Sequence, residues 1–251
     1  MSDPFLSWNA ALEKRHLSNL TFQEVRRSVQ ALSAAYVENR SRFESGAVFS
    51  GAGKRAAFAM FYAPLHFLLT REIVRGLKAA ASPCGGIVDL GCGTGAAGAA
   101  WALEFETAPK ISGIDLNAWA VEEAQWTYRS LSLSGNVRRA DVRRFQIPDK
   151  NAVIAAFTIN ELEEEARESF LSRFQKAARA GSPVLIIEPI ARRLIRWWDE
   201  WAESFTSEGG RADEWRFPID MPENLKLMDK ASGLDHREMT GRSLWLPGRQ
   251  E

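Results

Sequence analysis

The stretch Ile87-Val88-Asp89-Leu90-Gly91-Cys92-Gly93-Thr94-Gly95-Ala96-Ala97-Gly98-Ala99-Ala100 decides the fold. Its first four residues are a short apolar run holding one acid, which reads as a buried strand, and Thr94 to Phe105 reads as the helix behind it. Between the two, Gly91, Gly93 and Gly95 alternate along the chain. Glycine accepts positive φ and leaves room where a ligand must approach without a Cβ in the way. The helix start adds unpaired N–H groups and the positive end of the helix dipole. A glycine-rich turn by itself is shared by nucleotide-binding folds of several kinds.

Downstream, short apolar runs alternate with helical stretches, the pattern of βαβ units. Ile111 to Leu116 reads as a second strand, and Asn117 is placed to cap a helix with Val121, Ala124, Tyr128 and Leu131 inward. Val137 to Val142 reads as a third strand and the unbroken apolar run Ala152 to Ile159 as a fourth. Glu163 to Ala178 follows as a helix with Phe170, Phe174 and Ala177 inward, then Pro183 to Ile187 as a fifth strand. The expected fold class is α/β, a doubly wound Rossmann-like parallel sheet. In the tail, Ala191 to Phe205 reads as a helix bearing Trp197, Trp198 and Trp201, and Glu208 to Met221 as a Gly-, Asp- and Pro-rich connection. Pro222 to Gly233 suits one more helix, and His236 to Thr240 with Ser243 to Leu246 suit a hairpin around Gly241.

Upstream the reading is helical. Phe22, Val25, Val29, Leu32 and Tyr36 share one face, and a polar stretch follows from Asn39 to Lys54. In the next apolar region Pro64 should break or restart the helix, after which Leu65, Leu69, Ile73 and Leu77 align. Ala81 to Gly86 is a composition break, so the expected division is a helical lobe over 1–80 and an α/β domain over 81–251, with 191–221 inserted as a lid.

Thirty-two basic and thirty-two acidic side chains cancel, so no global field draws the chain to nucleic acid or lipid, although a local basic face is compatible with that balance. The first residues lack the apolar core of a secretory signal, and the apolar stretch Ala56 to Leu69 is too short to span a bilayer. Two cysteines, Cys84 and Cys92, form neither a disulfide framework nor a metal quartet. The expectation is a reduced, cytoplasmic protein with no membrane partner and no metal, its oligomeric state open.

Three features sharpen the glycine turn. A dinucleotide fingerprint wants its third glycine one place later, where Ala96 stands. Asp89, two residues before the first glycine, would repel a pyrophosphate and favour a ligand bearing an ammonium group; the alternative is a strand-end carboxylate capping the turn. Asp115 ends the second strand twenty positions after Gly95, where an acid accepts both hydroxyls of a ribose. Asp141 ends the third strand, placed for an adenine amino group or, alternatively, for Arg138 or Arg143. A nicotinamide oxidoreductase, which Asp115 alone would permit, is disfavoured by the glycine spacing and by Asp89.

At IVDLGCGTG, SGIDLNAWAVEEA, VRRADV and AVIAAFTINEL, in that order, the chain resembles the class I S-adenosylmethionine-dependent methyltransferases. The resemblance covers about Gly86 to Ile190 and implies a seven-stranded sheet whose last strand is antiparallel. It implies S-adenosyl-L-methionine as cofactor, with Asp89, Gly91, Gly93, Asp115 and Asp141 in contact with it. Cys92, Gly95, Leu116, Val142, Thr158 and Asn160 extend that cofactor-binding set by their places in the same motifs. The helical lobe, RAAFAMFYAP, NEL and IIEP also resemble relatives of mitochondrial small-ribosomal-subunit methyltransferases. Members of that family often carry cysteines suited to an iron–sulfur cluster, a set that Cys84 and Cys92 do not complete.

Methyl transfer from a sulfonium is an in-line displacement, so the enzyme mostly aligns the acceptor and excludes water. The acceptor belongs above the ends of strands four and five, near Thr158, Asn160, Glu161 and Glu188. Asn160 and Glu161 are the catalytic candidates: Asn160 orients an acceptor or caps the next helix, and Glu161 is a base or part of a charged helix start, with Glu188 in a similar position. Thr158-Ile159-Asn160-Glu161-Leu162 is not the Asn-Pro-Pro-aromatic motif that holds planar amino groups, which disfavours adenine or glutamine amide nitrogens of that type. The three tryptophans are either a lid lining the acceptor pocket or packing on the domain. Tyr62 and His66 are candidates to close that pocket, with a buried core histidine as the alternative. Arg192, Arg193 and Arg196 meet a phosphate or carboxylate, or form a solvated face. The acceptor is ribosomal RNA or a small molecule: charge balance leans one way and the finer resemblance the other. A catalytically silent module acting in a ribosomal or other assembly is the competing function.

Overall fold

A computed structural model describes residues 3–38, 49–190 and 196–248, with the backbone alone for 34–38. The side chain of Tyr36, most of the polar stretch Asn39 to Lys54, and Ala191, Arg192 and Arg193 therefore lie outside the described residues. The chain divides into two compact units, Met1–His66 with Pro218–Met239, and Phe67–Phe217 with Thr240–Glu251. The first unit ends inside a helix and includes a segment from the tail.

In the first unit α1 (Pro4–His16) starts where the Asp3 side chain accepts the Phe5 N–H, with Pro4 in its first turn. It buries Phe5, Trp8 and Leu12 on one face. Then comes α2 (Phe22–Glu38), opened by a reciprocal cap: Glu24 accepts from the Thr21 N–H and hydroxyl, and its own N–H donates to Thr21 Oγ1. Val25, Val29 and Leu32 are buried as their spacing predicts. The next helix runs as α3 (Ala52–Ala57), widens to a π turn over Phe58–Tyr62, and resumes as α4 (Ala63–Leu77). Proline explains the interruption. Pro64 has no N–H to continue an α ladder, and the wider ring closed by the Ala63 N–H on the Phe58 carbonyl lets the helix restart there.

The second unit holds a seven-stranded sheet in the order β3-β2-β1-β4-β5-β7-β6. Its strands are β1 (Ile87–Leu90), β2 (Ile111–Asp115), β3 (Gly135–Arg139), β4 (Ala152–Ala156), β5 (Val184–Glu188), β6 (Arg211–Pro218) and β7 (Glu238–Leu246). The first five are parallel, and β7 runs antiparallel to β5 with Val184 opposite Leu246 and Glu188 opposite Arg242. Crossovers are made by α5 (Ala96–Ala102), α6 (Ala118–Ser130) and α7 (Glu164–Arg179), with α8 (Trp198–Ser207) following β5. In the first unit α9 (Glu223–Ala231) packs against the π turn. Phe170, Phe174 and Ala177 are buried inward on α7 as expected, and Ala124, Tyr128 and Leu131 on α6, whereas Val121 is half-exposed and Thr127 is buried on that helix.

Two tail expectations are corrected. The supposed connection Glu208 to Met221 contains β6, an edge strand in which Asp213, Trp215 and Phe217 are half-buried and alternate with the exposed Glu214 and Arg216. The expected hairpin around Gly241 is one continuous strand, β7, flanked by β5 and β6. Within the 191–221 segment α8 packs in the core: Trp198, Trp201 and Phe205 are 5%, 2% and 0% exposed and join Phe170, Phe174, Ile186 and Leu244 in one cluster. Trp197 packs on the same cluster, so the tryptophans are packing. Third-strand residues Ala140 to Val142 also fall outside β3, where the chain turns into a short 3-10 segment.

Removing a fully buried aromatic ring forfeits its burial and leaves a cavity. Phe205→Ala is therefore expected to lower unfolding free energy by about 3–5 kcal/mol, read from the urea midpoint, whereas truncating the exposed Leu227 should change it little.

Candidate active site

At the C-terminal ends of β1, β2 and β4 the chain gathers most of the residues singled out by sequence. Gly91 has φ +65°, and a Cβ there would lie 2.5 Å from Thr158 Oγ1 and Cγ2. Gly95 precedes α5 with φ +79°, and a Cβ there would lie 2.7 Å from the Tyr128 ring. Each is glycine both for its dihedral and for its space.

Two carboxylates fasten this turn. Asp89 is 1% exposed and its Oδ2 accepts the Gly98 N–H at 3.0 Å, in the first turn of α5. Gly98 leaves the space for it, since a Cβ would sit 2.6 Å from that oxygen. Asp115 Oδ2 accepts the Gly93 N–H at 2.9 Å and its Oδ1 the Asn117 N–H at 2.8 Å. Asn117 in turn caps α6, its side chain accepting from the Ala120 N–H. Burial pushes the Asp89 carboxyl up to about 7, against the pull of the Gly98 amide and with a further push from Asp115. Asp115 is also raised by burial, offset by the amides of Asn117 and Gly93. Behind the turn Cys92 is buried, its thiol driven up by desolvation and by both acids. The Tyr128 hydroxyl is fully buried too and raised by burial, then by Asp89 and Cys92.

The Thr158 hydroxyl lies 3.1 Å from the Leu90 and Ala156 carbonyl oxygens and 3.3 Å from that of Gly91, tying the end of β4 to the glycine turn. Beyond it Asn160 and Glu161, both half-buried, occupy a 3-10 turn, Ile159–Glu161. The Asn160 N–H donates to Oε1 of the buried Glu188 at 3.0 Å. Leu116, next to Asp115, is 58% exposed.

Asp141, after β3, is paired locally. Its carboxylate accepts from the Arg143 backbone N–H at 2.9 Å and from the Arg143 guanidinium at 2.7–3.0 Å, and that hydrogen bonding holds its pKa below the usual value. The pairing with Arg143 that the sequence left as an alternative is thus present. Val142 is buried in the core cluster. In the first unit Tyr62 and His66 lie together, ring centroids 6.5 Å apart and each 6.0 Å from Phe58. Burial pushes Tyr62 up to about 12 and His66 down to about 4, so the imidazole is neutral near pH 7.

Sequence reasoning missed Phe157, which leaves β4 with φ +57°. A bulky residue in the left-handed region carries no sequence signal, because its side chain argues against that conformation. Gly98 was legible in principle, as the fourth glycine of the quoted stretch, and its role appears only when Asp89 is seen to fill its space.

A methyltransferase-domain family model matches residues 87–181. The match runs from β1 to the end of α7. The N-methyltransferase NodS from Bradyrhizobium japonicum WM9, solved with S-adenosyl-L-homocysteine, is 12% identical with a TM-score of 0.52, over 84% of this chain and 100% of that one. A SAM-dependent methyltransferase from Aquifex aeolicus is 17% identical with a TM-score of 0.46, over 68% and 88%. At such identities the likeness to NodS speaks for the fold. No curated protein matches the chain. The matched segment has its glycine turn after β1, where helix N–H groups meet the buried Asp89 and the half-buried Asp115.

An acid whose pKa is higher in the folded chain binds its proton more tightly there, so its ionisation opposes folding. Asp89 therefore contributes no pH dependence below its ordinary 3.8, lowers stability as pH rises from there to about 7, and adds no further loss above. The expected slope is up to roughly 1 kcal/mol per pH unit. Comparing urea midpoints of wild type and Asp89→Asn between pH 4 and 8 checks it: the variant should lose that decline, and an identical decline in both would refute it. Gly91→Ala is expected to be destabilised by about 1–2 kcal/mol from φ alone, before the clash with Thr158, by the same measurement.

Proposed function

We propose that the chain transfers a methyl group from S-adenosyl-L-methionine, through the site built around Asp89, the glycine turn and Asp115. One observation carries the donor assignment. Asp115 is a half-buried carboxylate fixed by two backbone amides, and Leu116, beside it, is an apolar side chain left exposed. A polar acceptor next to an exposed apolar surface suits a nucleoside, with hydroxyls on the acid and a base face on the leucine. Asp89 and the turn of Gly91, Gly93 and Gly95 would hold the methionine end, with Cys92 and Thr158 backing them. Asp141 and Val142 belong to the proposal as contacts of the adenine edge, with Arg143 stiffening the Asp141 carboxylate.

When bound, this donor supplies a methyl group already activated on a sulfonium. The protein's part is alignment and exclusion of water. Asn160 and Glu161, in the turn after β4, are the residues proposed to meet the acceptor. A base is required only if the acceptor must lose its proton early. For the acceptor both chemistries stay in the proposal, a small molecule or ribosomal RNA, as does an intracellular setting. Among the described residues no helix is long and apolar enough to cross a membrane.

Calorimetry with S-adenosyl-L-homocysteine tests the donor site. Asp115→Ala is expected to weaken binding by about tenfold or more, the value of a hydrogen bond to a charged group; unchanged affinity would remove Asp115 from the site. Labelled methyl transfer into fractionated extract tests the rest. Label in RNA or in the small-molecule fraction names the acceptor class, and tight donor binding with no label anywhere would favour a silent module.

A further inference from the structure

Glu188 ends β5, where sequence reading makes it a candidate base. Its surroundings describe a different task. The side chain is 1% exposed, and Oε1 accepts the Asn160 N–H at 3.0 Å, a charge-assisted bond across to the turn after β4. Its register partner on β7 is Arg242, itself 2% exposed, with the guanidinium carbon 4.1 Å over the Trp198 ring. A buried carboxylate and a buried guanidinium thus stand in register on paired strands.

The chain leading into the turn that Glu188 grips is held as well. Thr158 Oγ1 reaches the Leu90 and Gly91 carbonyls, and the Phe157 N–H donates to the Ile187 carbonyl at 2.8 Å. Between these anchors Phe157 adopts φ +57°. A bulky residue persists in that region only where the surroundings over-determine it, and such strain gathers at functional sites.

We infer that Glu188 is a positioning residue: it fixes the turn carrying Asn160 and Glu161 and takes no proton from the acceptor. This rests on the methyltransferase reading above. The role depends on reach and on an acceptor oxygen, and acidity plays no part in it. Glu188→Gln keeps both length and acceptor oxygen but has no basic carboxylate. Glu188→Asp keeps the charge facing Arg242 but is one methylene short of Asn160. The two variants therefore separate the roles in opposite directions. Should Glu188→Gln fold poorly with Arg242 left uncompensated, the double variant Glu188→Gln/Arg242→Met replaces it.

The experiment reads three quantities for each protein: S-adenosyl-L-homocysteine affinity by calorimetry, hydrogen exchange of peptides covering 157–162, and labelled methyl transfer into extract. Both variants are expected to bind within about threefold of wild type, a shift of under 1 kcal/mol. Glu188→Asp should exchange faster over 157–162 and lose transfer by about 100-fold, the loss that a misplacement of about 1 Å brings. Glu188→Gln should keep wild-type protection there and transfer within about tenfold. The inference is overturned if Glu188→Gln is inactive with 157–162 still protected, which marks a base, or if Glu188→Asp transfers like wild type. Failure of the wild-type chain to bind the probe would instead sink the methyltransferase reading, and the exchange comparison would still decide whether Glu188 holds the turn.

Discussion

Two backbone amides and two carboxylates hold the glycine turn in place, Gly98 to Asp89 and Gly93 to Asp115, at 3.0 and 2.9 Å. The second unit is organised around these bonds. Asp89 comes from β1 and reaches forward into α5; Asp115 comes from β2 and reaches back to the turn. The same Asp115 accepts the Asn117 amide, so one acid sets both the turn and the entry to α6. The glycines are what make this close approach sterically possible, with Thr158, Tyr128 and the Asp89 carboxylate filling the spaces that β-carbons would take.

The arrangement has an electrostatic cost. Asp89, Cys92 and Tyr128 are all desolvated within a small volume, and each is shifted towards its protonated form. Clusters of this kind are found where a protein prepares a charge environment for something other than itself. A cation arriving near Asp89 would reverse the balance and make the ionised carboxylate the favoured form. The fold thus stores a protonation state that a positively charged ligand is suited to release.

Much of this was legible in the residues. Ile87 to Leu90, Ala152 to Ala156 and Val184 to Glu188 are apolar runs because both faces of their strands are covered, and Asn117 is a cap because its short side chain can reach a helix amide. The edge of the sheet was less so. In Arg211 to Pro218 half-buried residues, the charged Asp213 among them, alternate with exposed ones from Asp213 onward, a pattern that solvent exposure makes resemble a loop. The tryptophans of α8 looked equally suited to a pocket or a core, and only the tertiary packing against Phe174 distinguishes these. Asp141 was placed by the strand order, while the nearby Arg143 that takes its carboxylate is a local pairing that sequence offers as one option among several.

An open sheet ends in two strands whose outer backbone groups have no neighbour within it, and here these are β3 and β6. Exposed arginines stand on both, Arg138 and Arg139 on one and Arg211 and Arg216 on the other, and Pro218 terminates the second. Cationic side chains and a residue without an N–H are poor templates for a further strand. The irregular composition that hides β6 from a reader of the sequence is also what makes that edge a poor template for a further strand.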